Sequence, residues 1–80
     1  MINEEREMVV FLAVIDYGPD EGGEIVASVH DTYEWASRAL KNQGFRPTCV
    51  FGARGAVYAY KGKTADDYPM ALIDDWKVDA

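Results

Sequence analysis

The feature that most restricts the fold is an apolar run near the start of the chain, residues 7 to 17, with the sequence EMVVFLAVIDY. Val, Ile and Phe favour extended backbone, and the Gly18-Pro19 pair that follows favours a loop, so the run predicts a β-strand. Successive side chains of a strand point to opposite faces of its sheet. Both sets are apolar: Met8, Val10, Leu12 and Val14 on one side, Val9, Phe11, Ala13 and Ile15 on the other. Such a strand is buried on both faces, so something must cover each side of the sheet.

The rest of the chain predicts four more strands and one helix. Residues 24 to 29 form the returning strand of a first hairpin, and the segments 46 to 51 and 56 to 61 form a second hairpin around a Gly-Ala-Arg-Gly turn. Residues 68 to 78 alternate apolar and polar side chains and predict a fifth strand with a bulge at Asp74; a short helix is the alternative.

Helical spacing of apolar residues predicts a helix over about residues 32 to 43. Asp31 is suited to cap its first turn, and Gly44 is suited to end it in a left-handed conformation. The face that we expect to be buried contains Tyr33, Ala36, Ala39, Leu40 and Gln43.

The element order β-β-α-β-β-β predicts an α+β fold, with one antiparallel sheet of four to five strands and one α-helix packed on one face. The 80 residues form a single domain, residues 1 to 80. Because one helix covers only one face, we expect the second face to be covered by a curled sheet and the chain ends, by a second copy in a homodimer, or by a docked partner.

Catalytic and metal-binding patterns are missing from the sequence. His30 is the only histidine and Cys49 the only cysteine, so one chain offers neither a nucleophile-base pair nor a multi-histidine metal site. We expect His30 to lie where the helix begins and Cys49 to be buried on a strand. The carboxylates of residues 16 to 24 lack the spacing of a calcium loop. The sequence therefore predicts a protein that is not an enzyme, with no catalytic residues, no cofactor and no metal.

The single thiol indicates a reducing compartment, since it cannot form an internal disulfide. The first residues are acidic where a signal peptide would be basic, and the longest apolar run is far too short to span a membrane. We therefore expect a cytoplasmic protein with no membrane partner.

Charge is segmented along the chain. Residues 1 to 37 contain nine acids and one base, residues 38 to 63 contain six bases and no acid, and residues 64 to 80 contain five acids and one base, for a net charge of -6. Either neighbouring strands pair the opposite signs, or one sign faces outward as a patch.

Two acidic clusters flank aromatic residues and predict a surface that binds a basic partner, because acids steer association and aromatics anchor it. The predicted partner-binding residues are Asp16, Tyr17, Asp20, Glu21 and Glu24 in the first cluster, and Asp66, Asp67, Tyr68, Asp74, Asp75 and Trp76 in the second. The alternative is that each cluster is a solvated loop.

The stretch ARGAVYAYKG, residues 53 to 62, partly matches an RNA-binding strand. Its aromatics do not stand at the spacing of an RNA-recognition motif after the Arg-Gly pair. An RNA- or DNA-binding module that uses the basic segment 38 to 63 therefore remains the alternative function, with direct nucleic-acid binding less favoured in an acidic chain. Its candidate residues are Arg54, Tyr58, Tyr60, Lys61 and Lys63.

The hairpin-helix layout around HDTYEWASRALKNQGF, the ARGAVYAYKG hairpin and the acidic ends together resemble a known group of proteins. In this format the chain is similar to the small acidic inhibitors that bacteriophages encode against host defences, above all the anti-CRISPR proteins. The resemblance implies a non-enzymatic inhibitor in the host cytoplasm that binds an RNA-guided effector complex and blocks its engagement of target DNA. The basic segment departs from a pure DNA mimic and favours a mixed interface.

Overall fold

Five strands, one α-helix and one 3-10 turn make up residues 7 to 79, the part of the chain that the computed structural model describes. The elements are β1 (Glu7–Asp16), the 3-10 turn (Pro19–Glu21), β2 (Glu24–His30), α1 (Tyr33–Asn42), β3 (Phe45–Gly52), β4 (Gly55–Tyr60) and β5 (Met70–Asp79). Glu4, Glu5 and Arg6 of the first acidic segment lie outside the described residues.

The strands form one antiparallel sheet in the order β2-β1-β5-β4-β3, with α1 packed on one face. This confirms the predicted α+β fold and its element order. β1 and β5 pair along their whole length, from Glu7 opposite Asp79 to Asp16 opposite Met70. The first and last strands of the sequence are therefore neighbours near the middle of the sheet.

The bulge predicted at Asp74 is wrong. Asp74 lies directly opposite Leu12 in an unbroken β1–β5 register, and the segment is a strand throughout rather than a short helix. The register shifts instead in two other places: between β1 and β2 after Ala13, where Ala27 of β2 is the extra residue, and between β3 and β4 from Pro47 to Phe51.

The core lies between the helix and the sheet. It is formed by Ala13, Ile15, Ala36, Leu40, Phe45, Tyr58, Ala71 and Ile73. Ala36 and Leu40 are buried as predicted, but Tyr33 and Gln43 are exposed and Ser37 is buried in their place. Tyr33 still contacts the sheet, because its ring lies edge-on to that of Phe11 with centroids 6.2 Å apart.

The helix begins one residue later than its predicted cap. Thr32, not Asp31, is the N-cap: its backbone is extended, and its Oγ1 accepts a hydrogen bond of 3.1 Å from the Trp35 amide. At the other end Gly44 has φ +100° and its amide donates to the Lys41 carbonyl at 3.0 Å, which confirms the predicted left-handed stop.

The opposite side of the sheet carries no helix, and we call it the helix-free face. It is formed by Met8, Val10, Leu12, Val14, Val26, Val29, Leu72, Trp76 and Val78, which pair with one another across β2, β1 and β5. Met8, Val26, Val29, Trp76 and Val78 of this set are exposed, with Trp76 at 60%.

The β3–β4 turn covers one part of the helix-free face. Arg54 in this turn forms ion pairs with Glu24 of β2 at 2.7 Å and with Asp74 of β5 at 2.9 Å. These two strands flank β1, and the line between the two carboxylates crosses β1 at Val14. Val14 is only 3% exposed, which fits a guanidinium that lies above it.

Candidate functional site

Two acidic loops meet at one end of the sheet. Asp16, the last residue of β1, pairs with both Glu24 and Met70, so the β1–β2 loop and the β4–β5 loop leave the sheet side by side. The Tyr68 ring of the second loop packs on Gly18 of the first: a Cβ atom at Gly18 would lie 2.9 Å from Tyr68 Cδ2. We call this region the acidic end; its carboxylates are Asp16, Asp20, Glu21, Glu24, Asp66 and Asp67.

The β1–β2 loop is closed by its own backbone. The Tyr17 amide donates to the Gly23 carbonyl at 2.9 Å, the Gly23 amide donates to the Gly18 carbonyl at 2.8 Å, and Asp16 Oδ1 accepts from the Gly18 amide at 2.9 Å. Gly18 has φ +93°, a conformation that side chains with a Cβ atom rarely adopt. The loop therefore presents its acids from a fixed framework.

The β4–β5 loop is held by one of its own acids. The Asp67 carboxylate accepts hydrogen bonds from the Thr64 amide at 3.0 Å and from Thr64 Oγ1 at 3.1 Å. The backbone bond, then the hydroxyl bond, lowers the pKa of Asp67, because both favour the charged form. Asp67 is thus charged at neutral pH and fixed in place next to Tyr68.

Three acids of this end point to solvent. Among the described residues, Asp20, Glu21 and Asp66 make no side-chain hydrogen bond or ion pair, and all three are exposed. Tyr17 and Tyr68 lie beside them and are themselves exposed. Free carboxylates next to exposed aromatic rings suit a basic protein surface, which the charges attract and the rings contact.

The second predicted cluster divides in the structure. Asp66, Asp67 and Tyr68 join the acidic end, whereas Asp74 and Trp76 lie farther along β5 on the helix-free face. Asp74 is engaged by Arg54. Asp75 lies on the helix side of the same strand, so of these three residues only Asp74 is joined to the acidic end, through Arg54, which also binds Glu24.

The residues predicted for nucleic-acid binding are also dispersed. Tyr58 is 2% exposed, and its hydroxyl contacts Ser37 Oγ at 2.8 Å, so no base can stack on it in this structure. Arg54 is bound to two carboxylates, and the bond with Glu24, then that with Asp74, raises its pKa. Tyr60, Lys61 and Lys63 remain exposed.

The Tyr58 hydroxyl also contacts the hydroxyl of Tyr33 at 3.3 Å. Burial of the Tyr33 hydroxyl, followed by this hydrogen bond, raises the pKa of Tyr33 to about 12. The three hydroxyls of Tyr33, Ser37 and Tyr58 thus form a neutral polar link between helix and sheet.

A second charged region contains two cations, Lys41 and Arg46, that were not among the predicted site residues. Lys41 and Arg46 join Lys61 around an open cleft of about 590 Å³. We call it the basic cleft; its lining residues are Lys41, Gly44, Phe45, Arg46, Pro47 and Lys61. The signal in the sequence was the acid-free segment 38 to 63, which contains all three cations.

The remaining reactive side chains stand apart. Cys49 is exposed, contrary to the expected burial; it lies in edge strand β3, within the stretch between Pro47 and Phe51 where the register with β4 shifts. His30 ends β2, two residues before the helix cap, and its Nε2 lies 2.7 Å from Ser28 Oγ.

Within residues 7 to 79 no three His, Cys, Asp or Glu side chains are grouped so as to hold a metal ion. The one described helix is too short and too polar to cross a membrane.

Comparison of the chain with protein-family models, with curated proteins and with solved structures finds no match. The proposals for the acidic end and the basic cleft therefore rest on the geometry and charge of these two regions.

Proposed function

We propose that the protein is a non-enzymatic binding protein whose acidic end docks on a basic surface of another protein. The observation that supports this most is the contact of Tyr68 with Gly18, because it unites two acidic loops that are more than 40 residues apart in sequence. Asp20, Glu21 and Asp66 would steer the encounter, and the exposed rings of Tyr17 and Tyr68 would provide the contact area that slows dissociation.

The partner that we propose is an RNA-guided effector complex. Such complexes hold nucleic acid in channels lined with positive charge, which an acidic surface of fixed shape is able to occupy in place of DNA. The resemblance of the chain to anti-CRISPR proteins supports the same target, and we propose that the protein acts as a phage-type inhibitor in the cytoplasm of a host bacterium.

We also propose that the helix-free face joins two copies of the chain. The exposed side chains of Met8, Val26, Val29, Trp76 and Val78 form an apolar surface interrupted chiefly by Asp74, whose charge is met by Arg54. An interface of this type stacks the two sheets, buries the apolar rows against each other and leaves both acidic ends free.

The inhibition proposal is tested with purified RNA-guided effector complexes, each loaded with its guide and given labelled target DNA. The expected result is that at least one complex loses DNA binding when about one copy of the protein is present per complex. If DNA binding is unchanged for all complexes even at a large excess of the protein, the proposed target class is wrong.

A further inference from the structure

Among residues 7 to 79, no acid forms an ion pair with the cations of the basic cleft. Of the six bases in residues 38 to 63, Arg54 is paired with two carboxylates and Arg38 lies over the Trp35 ring at 4.8 Å. Lys41, Arg46 and Lys61 form no ion pair with any residue of the described range 7 to 79. Their charges therefore act on the solvent side of the cleft without internal compensation.

The backbone fixes where these cations stand. Lys41 lies in the last turn of α1, and its carbonyl accepts the Gly44 amide at 3.0 Å; the Gly44 carbonyl in turn accepts the Lys61 amide at 2.9 Å. Arg46 is placed by its pairing with Ala59 of β4. The helix end, β3 and the end of β4 are thus connected directly, and all three cations line the same cleft.

The positive surface extends past the first cleft. A neighbouring cleft of about 280 Å³ shares Arg46, Pro47 and Lys61 with the basic cleft and adds Tyr60 and Lys63. No Asp or Glu lines either cleft. Two open, connected clefts with cations along both suit an extended ligand that carries several negative charges, rather than one small anion.

An aromatic ring lines the second cleft. Tyr60 is 40% exposed. Its ring packs edge-on against the ring of Phe45, with centroids 5.2 Å apart, and it also lies close to Gly44. A fixed aromatic ring beside a basic groove is the arrangement with which proteins hold single-stranded nucleic acid, since cations contact phosphates and a base stacks on the ring.

We propose that the basic cleft binds the phosphate backbone of single-stranded nucleic acid. Lys41, Arg46 and Lys61 contact successive phosphates, and Tyr60 stacks with a base of the same strand. The site differs from the predicted nucleic-acid set, because Arg54 and Tyr58 take no part in it. It uses none of the carboxylates of the acidic end, although the β4–β5 loop carries both Lys63 and Asp67, and it does not rest on the proposed protein partner.

The test is fluorescence anisotropy of a labelled single-stranded oligonucleotide of about ten nucleotides. With three phosphates engaged, the logarithm of the binding constant should fall with the logarithm of salt concentration with a slope of about -2, or about 15-fold between 50 and 200 mM salt. The Lys41→Gln/Lys61→Gln double variant should bind several-fold more weakly with a slope of about -1. Lys77→Gln, which removes one positive charge on β5 outside the cleft, is the control and should keep the wild-type slope.

Circular dichroism establishes that each variant is folded. The proposal is overturned if the wild type does not bind the strand at about 50 mM salt, a condition that favours phosphate contacts, or if the double variant keeps the wild-type affinity and slope. It is equally overturned if inorganic phosphate displaces the strand more strongly than chloride at the same ionic strength, because the cleft would then be a site for a single phosphate.

Discussion

At the scale of single residues, the Tyr58 hydroxyl is the polar group on which the contact of helix and sheet depends. It lies in the core and contacts Ser37 Oγ at 2.8 Å and the Tyr33 hydroxyl at 3.3 Å. A buried hydroxyl that loses its partner costs about 1 to 3 kcal/mol. We therefore expect Tyr58→Phe to lower the free energy of unfolding by about 1 to 2 kcal/mol in urea denaturation, whereas Tyr60→Phe, at an exposed tyrosine, should have little effect.

The same variant changes the titration of Tyr33. Its pKa of about 12 arises first from burial and only then from the bond with Tyr58, so Tyr58→Phe should lower it without restoring the ordinary value near 10. Because Tyr33 ionises more readily in the unfolded chain, it reduces stability as the pH rises from about 10 to 12. Spectrophotometric titration measures the shift, and an unchanged pKa would contradict the assigned contact.

Arg54 is the second residue with a defined structural role. Its two ion pairs are exposed and screened by solvent, and such pairs contribute up to about 1 kcal/mol each. We expect Arg54→Ala to lower the free energy of unfolding by about 1 kcal/mol at low salt and by less at about 1 M salt, where the charges are screened. Arg46→Ala removes a cation that forms no ion pair with the described residues, and it is the control. An equal loss of unfolding free energy in both variants would show that the two Arg54 ion pairs do not stabilise the fold.

At the scale of elements, the strands and the helix could be predicted because their signals are local. Alternating apolar residues and glycine-containing turns placed all five strands within one or two residues, and Gly44 marked the end of the helix correctly. Thr32 replaced Asp31 as the cap because both residue types fit that position. Cys49 was expected to be buried because its exposure depends on the edge position of β3, and strand order is not a local property.

The acidic end could be predicted only in part for the same reason. The sequence showed the acids and the neighbouring tyrosines, but their union depends on β1 pairing with β5, residues that are far apart along the chain. That pairing also moved Asp74 and Trp76 to a different surface. The basic cleft likewise combines a helix end with two strands, so charge segmentation alone did not single out Lys41 and Arg46.

The contact between the two acidic loops is tested by a pair of glycine variants. Gly18 and Gly22 both have positive φ, but a Cβ atom meets Tyr68 only at Gly18 and open space at Gly22. Both alanine substitutions strain the backbone, and the strain is larger at Gly18, where φ +93° and ψ 159° are adopted almost only by glycine, so the position of the Tyr68 ring is the deciding observation. We expect Gly18→Ala to lose more stability than Gly22→Ala and to displace the Tyr68 ring, as seen in NMR contacts between the loops. Equal losses with an unmoved ring would mean that the loops do not support each other.

At the scale of the whole molecule, we propose that the helix-free face joins two copies of the chain. We expect a homodimer, so light scattering at micromolar concentration should give about twice the 8.9 kDa mass of one chain. Trp76→Glu places a charge in the middle of the exposed apolar rows and should yield single chains, whereas Trp35→Glu changes an exposed tryptophan on the helix and should not. A wild-type mass near 8.9 kDa would contradict the dimer and leave the Arg54 turn as the cover of this face.

Binding of the acidic end to a basic partner is tested by the association kinetics with an inhibited effector complex, measured at two ionic strengths. Glu21→Lys/Asp66→Lys reverses two solvent-facing acids of that end, and Glu34→Lys/Asp75→Lys makes the same change in net charge elsewhere; surface changes of this kind alter stability by about 0.5 kcal/mol or less. We expect slower association and a weaker salt dependence of the association rate for Glu21→Lys/Asp66→Lys. We expect wild-type rates for Glu34→Lys/Asp75→Lys. If both variants associate like the wild type while remaining folded by circular dichroism, the acidic end is not the interface.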